Sequence, residues 1–262
     1  MRPADLRDYW RLRRLCFNPG EALRFRKGGA LGEQLELRLR AGGTLAIRGA
    51  TQDYNVFRDV YLYDEYALDS LPAPLGCVVD LGANAGYFAA RAAGCAERVV
   101  AYEPVPENAA LARRNTAPFG HVEVVEAAVG ARTGEQRLHL ARAARGTGLH
   151  SIHRDGAVHS DEAITVPCVS LADLFERHGI ERCDLLKLDV EGAEYEILFG
   201  APPDVLSSVG RIAAEYHAGG GEPGFTPDAL ASHLEACGFA VTRRPSSHHP
   251  HTGLLFARRA GA

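Results

Sequence analysis

Lysine is nearly missing from this 262-residue chain: Lys27 and Lys187 are the only two, so arginine supplies almost all of its 29 basic residues. Base-composition bias of the coding genome accounts for the general preference, yet it leaves Lys187 conspicuous inside an apolar run. No C-x-x-C pair occurs among the six scattered cysteines (Cys16, Cys77, Cys95, Cys168, Cys183, Cys237), which excludes a zinc ribbon and argues against a disulfide framework. No segment approaches the ~18 apolar residues of a membrane span. Neither charge is in excess. With 29 Lys plus Arg against 33 Asp plus Glu and a net charge of −4, there is no basic field to attract a nucleic-acid backbone. Met1 to Arg14 carries five arginines without an apolar stretch after them, so no secretory signal is expected. These absences leave a soluble, cytoplasmic globular protein acting on a small molecule. At this length a core forms without disulfide or metal support.

Residues 1–74 read unlike the rest. An Arg-rich, helix-compatible start is followed by alternating segments Gln34–Leu39 and Thr44–Arg48 around Gly42-Gly43, a hairpin signal. A Tyr- and Phe-rich stretch from Val56 to Leu68 comes next, and Leu71-Pro72-Ala73-Pro74 marks the boundary. From residue 75 onward strands alternate with helices. Strands are expected at Cys77–Leu81, Val99–Tyr102, Val122–Val125, Asp184–Asp189 and Arg211–His217, with a closing antiparallel pair at Phe239–Arg243 and Gly253–Ala257. Helices are expected at Tyr87–Ala93, Pro106–Asn115, after Ser170, at Ala193–Phe199 and after Thr226. Arg137–Ala141 and Ile164–Val169 read as an inserted hairpin. Such alternation predicts an α/β domain with a mostly parallel sheet, whose ligands bind beyond the carboxyl ends of the strands.

Three clusters of chemistry fall at those ends. The first is Val78-Val79-Asp80-Leu81-Gly82-Ala83-Asn84-Ala85-Gly86, a strand running through a glycine turn into a helix, where backbone can approach a ligand closely. Glu103 follows Gly82 by 21 residues, where a carboxylate can accept both hydroxyls of an adenosine ribose. The loop is G-A-N-A-G rather than G-x-G-x-x-G, and Asp80 would repel a pyrophosphate. S-adenosylmethionine, with its ammonium and sulfonium, is therefore preferred to NAD. The second cluster is Asp184-Leu185-Leu186-Lys187-Leu188-Asp189-Val190-Glu191-Gly192-Ala193-Glu194. Lys187 and Asp189 share one face of a strand that should be apolar, so their charges are paired or functional. The third is Glu215-Tyr216-His217, where Glu215 and His217 share a face. His248, His249 and His251 are expected in a solvated turn.

The segments V-D-L-G-A-N-A-G-Y-F, V-A-Y-E-P-V-P-E-N, D-L-L-K-L-D-V-E-G-A-E-Y-E-I-L and E-Y-H resemble the FkbM family of S-adenosylmethionine-dependent methyltransferases. Thr51 to Tyr66 also resembles that family's N-terminal part, so the likeness runs from about residue 45 to 217; segment 142–163 and the tail beyond His217 match nothing in it. The resemblance implies a class I methyltransferase fold: a seven-stranded, Rossmann-like sheet with helices on both faces, its last strand antiparallel, plus an N-terminal α/β extension. It implies that Asp80, Gly82, Asn84 and Gly86 hold the methionine moiety near Tyr66 and Tyr87. Glu103 would hold the ribose, and Pro104, Glu126, Ala127 and Ala128 would surround adenine.

Methyl transfer is an in-line displacement in which positioning supplies on the order of 7–11 kcal/mol. An alcohol acceptor also needs a general base. His217 is expected in that role, oriented by Glu215, with Asp189 and Glu191 positioning the acceptor and Asp189 also facing the cofactor. Asp189, Glu191, Glu215 and His217 are compatible with Mg²⁺, although no metal is expected. O-methylation of a natural product or sugar-containing metabolite leads. N-methylation of an amine, a NAD-dependent oxidoreductase and a non-catalytic nucleoside-binding module are the alternatives. Residues 1–74 would lid the 75–262 methyltransferase domain or pair two copies as a homodimer.

Overall fold

The computed structural model describes residues 3–141, 159–217, 224–246 and 251–261. The N-terminal section begins with helix α1 (Pro3–Leu15), whose last turn carries Arg13 and Arg14, cations that suit the negative end of a helix. Helix α2 (Pro19–Gly28), which the sequence reading did not foresee, starts on a proline with Glu21 in its first turn. The antiparallel hairpin β1 (Gln34–Arg38) and β2 (Thr44–Arg48) follows, then helix α3 (Asp53–Tyr61).

Beyond the prolines the chain builds β3 (Leu75–Leu81), α4 (Tyr87–Ala92), β4 (Ala96–Tyr102), α5 (Pro106–Thr116) and β5 (Val122–Val125). A separate three-stranded sheet comprises β6 (Ala128–Gly130), β7 (Gly134–Ala141) and β8 (His159–Ser170). The expected inserted hairpin is β7 against β8, antiparallel, with residues 142–158 between them outside the described residues. Then come α6 (Leu171–His178), β9 (Leu185–Leu188), α7 (Glu194–Gly200), α8 (Pro203–Ser207), β10 (Arg211–His217), α9 (Pro227–Ala236), β11 (Phe239–Pro245) and β12 (Thr252–Arg259). The main sheet has the order β11-β12-β10-β9-β3-β4-β5. Its strands are parallel except β12, which runs antiparallel to both neighbours. This is the doubly wound class I methyltransferase arrangement.

Alternate residues of β3 serve opposite faces of the sheet, as strand geometry requires. Val78 joins an apolar cluster with Leu12, Leu37, Ile47 and Phe57 of the N-terminal section and with Phe88 and Leu111 of α4 and α5. Val79 joins the other cluster, with Leu174, Leu198, Leu206 and Leu230 from α6 to α9. The N-terminal section thus packs into the core of one sheet face. Asn115 of α5 fastens it: its Oδ1 accepts from Ala46 N at 2.8 Å, and its Nδ2 donates to Ala46 O at 3.2 Å and Ala85 O at 2.8 Å. No described helix is long and apolar enough to cross a membrane.

Helix boundaries follow local chemistry. Ser170 Oγ accepts from Asp173 N at 3.1 Å, and Gly179 ends α6 in the left-handed region at φ 59°. Ser170→Ala should therefore cost about 1 kcal/mol. A fall in urea midpoint at unchanged slope would show it, and an unshifted midpoint would refute it.

Candidate functional site

Strand order reverses between β3 and β9, since the chain proceeds outward from β3 through β4 to β5 on one side and from β9 to β10 on the other. At such a switch point the loops leaving adjacent strands open a crevice. Here they nearly touch. Asp189 N donates to Leu81 O at 3.0 Å, and a Cβ on Gly82 would stand 1.8 Å from Asp189 O. Gly82 also sits at φ 77°, so only glycine is accommodated. The loop is clipped to the end of β4, with Gly82 N and Ala83 N both donating to Tyr102 O at 3.0 and 2.9 Å.

Glu103 forms the second wall. Its Oε2 accepts from Asn84 N at 2.8 Å, and its Oε1 accepts from Val105 N at 3.0 Å and Asn108 Nδ2 at 3.4 Å. Burial pushes its carboxyl pKa upward, and these donors oppose that shift. A carboxylate has about four acceptor positions. Three are filled, so capacity toward the cleft remains. The cleft encloses about 630 Å³ of space that is open to solvent.

Lys187 lies beneath the crevice, 3% exposed. Its Nζ is 2.9 Å from Asp80 Oδ1, 3.9 Å from Asp189 Oδ2, and donates to Gly82 O at 2.8 Å. Burial disfavours the ammonium, but Asp80 and Asp189 outweigh that cost and raise its pKa. The cation that meets Asp80 is therefore a lysine of the chain itself. Tyr66 reaches in from the N-terminal section, its hydroxyl donating to Asp189 Oδ2 at 2.9 Å.

The D-V-E-G-A-E loop turns sharply, with Glu191 at φ 51° and Gly192 at φ 109°. Glu194, fully buried, holds that turn: its carboxylate accepts from Val190 N at 3.2 Å and from Gly192 N at 3.2 and 3.1 Å. The same carboxylate is 3.1 Å from His217 Nδ1, while His217 Nε2 faces Glu191 Oε2 at 3.3 Å. Burial alone would lower the histidine's pKa. Glu194, with its hydrogen bond, then Glu191 and Glu215 overcome that and push it up to about 10. His217 is thus an imidazolium at neutral pH. Burial, together with repulsion from nearby acids, raises three carboxyls: Glu191 well above its ordinary value despite the opposing charge of His217, Glu215 to about 8 and Glu65 to about 7.

These shifts have one sign. Each group binds protons more tightly when folded, so each contributes stability that is complete below its unfolded pKa and lost as pH rises through the folded value. For Glu65 and Glu215 the windows run from 4.5 to about 7 and about 8, and for His217 from 6.5 to about 10. The urea midpoint should therefore fall steadily between about pH 5 and pH 10. A midpoint that rises across this window would contradict the cluster.

Gly82, Asn84, Glu103, Pro104, Ala127, Ala128, Asp189 and Glu191 line one cleft. Several other expected residues do not. Gly86 packs against α5, where a Cβ would lie 2.8 Å from Ala112 Cα, and Tyr87 is buried with its hydroxyl donating to Ala46 O at 2.9 Å. Asp80 is sealed beneath the loop beside Lys187, and Glu126 pairs outward with Arg113 at 3.1 Å. Tyr66, Glu215 and His217 are not among the residues that line it. The acid that orients His217 is Glu194 rather than Glu215, because the turn into α7 brings Glu194 back over the end of β10. Glu194 and the cleft residue Asn108 were both missed. Each lies in a helix's opening turns, where periodicity marks only the start of a helix. Among the described residues no group of three or more His, Cys, Asp or Glu side chains is arranged to hold a metal ion. His251 is exposed, and His248 and His249 lie outside the described residues.

The profile of the Methyltransferase FkbM domain matches residues 80–241, more than half of the chain and every element of this site from Asp80 to His217. The chain belongs to the FkbM methyltransferase family. Similar proteins include the 2-O-methyltransferase NoeI of Sinorhizobium fredii, 28% identical over 75% of this chain and 82% of that protein. The 31-O-demethyl-FK506 methyltransferase FkbM of Streptomyces tacrolimicus is 28% identical over 78% and 88%. The antimetabolite synthetase AmbE of Pseudomonas aeruginosa is also 28% identical, over 80% of this chain, which spans only 12% of that protein. In fold, the chain is similar to the FkbM methyltransferase of Methylobacillus flagellatus, with a TM-score of 0.51 and 13% identity over 97% of this chain and 59% of that one.

Proposed function

We propose that this FkbM-family methyltransferase moves the methyl group of S-adenosylmethionine to a hydroxyl of a small natural product or sugar-containing metabolite. One observation carries the reading: the Gly82 loop, the partly committed Glu103 carboxylate and the acids Asp189 and Glu191 border a single cleft at the switch point. The residues fit the cofactor. Glu103 has acceptor capacity for a ribose, Pro104, Ala127 and Ala128 offer an apolar surface for adenine, and Gly82 and Asn84 line the same cleft. S-adenosylmethionine, when bound, supplies an electrophilic methyl on a positively charged sulfur.

Glu191 is the group this reading places against the acceptor, because it lines the cleft and His217, 3.3 Å from it, does not. As the new O–CH₃ bond forms and the C–S bond breaks, the hydroxyl's O–H bond breaks and its proton passes to the Glu191 carboxylate. Burial makes that carboxylate a stronger base than an exposed one. His217, held charged by Glu194, keeps Glu191 aimed and balances its negative charge. Asp189, fixed by Tyr66, orients the acceptor. The relatives named as O-methyltransferases support oxygen as the acceptor atom.

Calorimetric titration tests the cofactor: S-adenosylhomocysteine should bind and NAD should not, and the reverse would overturn the assignment. Incubation with methyl-labelled S-adenosylmethionine and a panel of polyhydroxylated glycosides and macrolides, beside their amine-bearing counterparts, tests the atom. Label carried by amines alone would replace O- with N-methylation.

A further inference from the structure

The ribose carboxylate has a support chain leading out of the methyltransferase core. Arg48, the last residue of β2, makes a two-pronged pair with Asp53, Nε to Oδ2 at 2.8 Å and Nη2 to Oδ1 at 2.9 Å. Nη2 also donates to Asn108 Oδ1 at 2.9 Å. Asn108 is 2% exposed, and its Nδ2 faces Glu103 Oε1 at 3.4 Å.

The chemistry permits only one arrangement of that amide. A guanidinium has donors and no acceptor, and a carboxylate has acceptors and no donor. Asn108 Oδ1 must therefore face Arg48, which turns the NH₂ toward Glu103. The guanidinium thus favours the orientation in which the amide offers a donor, not its oxygen, to the carboxylate. Arg48 is itself held by Asp53, a fully buried acid that also accepts from Arg48 N at 3.1 Å and from the Tyr87 hydroxyl at 3.2 Å.

We propose that Arg48 is a positioning residue for cofactor binding: acting through Asn108, it sets the Glu103 carboxylate to receive the ribose. The N-terminal hairpin is then a working part of the cofactor site, reached through a relay of three side chains. The proposal rests on the cofactor reading given above.

A double-mutant cycle on S-adenosylhomocysteine affinity tests it. Arg48→Lys keeps a charge beside Asp53 but loses the planar fork. Asn108→Leu breaks the relay from the other end and leaves the Arg48–Asp53 pair intact. Each single variant should weaken binding about tenfold, as expected for a lost hydrogen bond to a charged group. The double variant should be no weaker than either, because both remove the same relay. The 2′,3′-dideoxyribose analogue of S-adenosylhomocysteine, which offers Glu103 neither hydroxyl, supplies the readout that a purely structural role would not move. It should bind wild type weakly and lose less than twofold in either variant.

Losses that multiply toward about a hundredfold, unchanged affinity in the singles, or equal losses with the dideoxy analogue would each overturn the relay. If Arg48→Lys does not fold, Asn108→Leu against the two ligands decides alone. Wild-type protein that binds no S-adenosylhomocysteine would instead remove the cofactor reading, a failure distinct from an additive cycle in protein that binds it.

Discussion

Replacing Lys187 with methionine should cost about 3–5 kcal/mol of folding stability, the range for breaking a buried ion pair from one side. Methionine nearly matches the lysine stem in length and shape, so packing changes little. What changes is Asp80, which is 0% exposed and loses the ammonium 2.9 Å from its Oδ1. Against a total of roughly 5–15 kcal/mol for a typical domain, the loss would leave the chain barely folded at 37 °C. Urea unfolding followed by circular dichroism measures it. The companion experiment adds Asp80→Asn: with the orphan charge neutralised, the double variant should recover more than half of the deficit. A double variant whose loss equals the sum of the singles would mean that the two residues do not act as a pair.

That pair also shows what a sequence can and cannot say about this protein. A lysine within Asp184–Asp189 stood out because a parallel strand buried on both faces should be apolar. Its need for a partner followed from the cost of burying charge. The partner was less legible. Asp189 shares the strand face by period, but Asp80 is the nearer acid because β3 and β9 are neighbours with Asp80 in register with Lys187. Strand adjacency is a property of topology, and no spacing within either segment encodes it. The same limit explains the substitution of Glu194 for Glu215 as the partner of His217. Two residues apart on a strand means the same face, which is true of Glu215, but the contact is made by an acid that a left-handed turn at Glu191 carries across.

The fold was more legible than the site because it rests on local signals. Ser170, Gly179 and Thr226 bound helices where capping chemistry puts them, and the two glycines at 42 and 43 turn the hairpin. Helix α2 escaped because its pattern is weakly amphipathic and its glycines at 28 and 29 read as loop. Strand β4 begins three residues earlier than expected, at Ala96, since Ala96 and the polar Arg98 still pair with Leu75 and Cys77 at the sheet's end. The N-terminal section proved hardest to read. Nothing in residues 34–48 alone announces that Ala46 docks on Asn115 or that Arg48 reaches Asn108, because both are contacts between distant parts of the chain.

His217→Ala should lower turnover on a hydroxyl acceptor by roughly 10²–10³-fold while changing S-adenosylhomocysteine affinity by less than about threefold. The split follows from position. His217 makes none of the contacts around Glu103 or the Gly82 loop, so cofactor binding is spared; its Nε2 is 3.3 Å from Glu191, the group assigned to the acceptor's proton. The pH profile sharpens the test. His217 lowers the Glu191 pKa through its charge, against burial and the repulsion of Asp189, Glu215 and Glu194. Removing the imidazolium leaves those opposing effects unchecked, so Glu191 should hold its proton to higher pH. The acid limb of turnover against pH should then move upward in the alanine variant, with the remaining activity recovering as the medium becomes more basic. Glu194→Gln should produce a smaller shift in the same direction, since it weakens the hold on the imidazolium without removing the ring. An acid limb that stays in place in both variants would show that proton transfer does not depend on the pair, and the base would then have to be sought at Asp189, the acid two residues before Glu191 in the cleft lining.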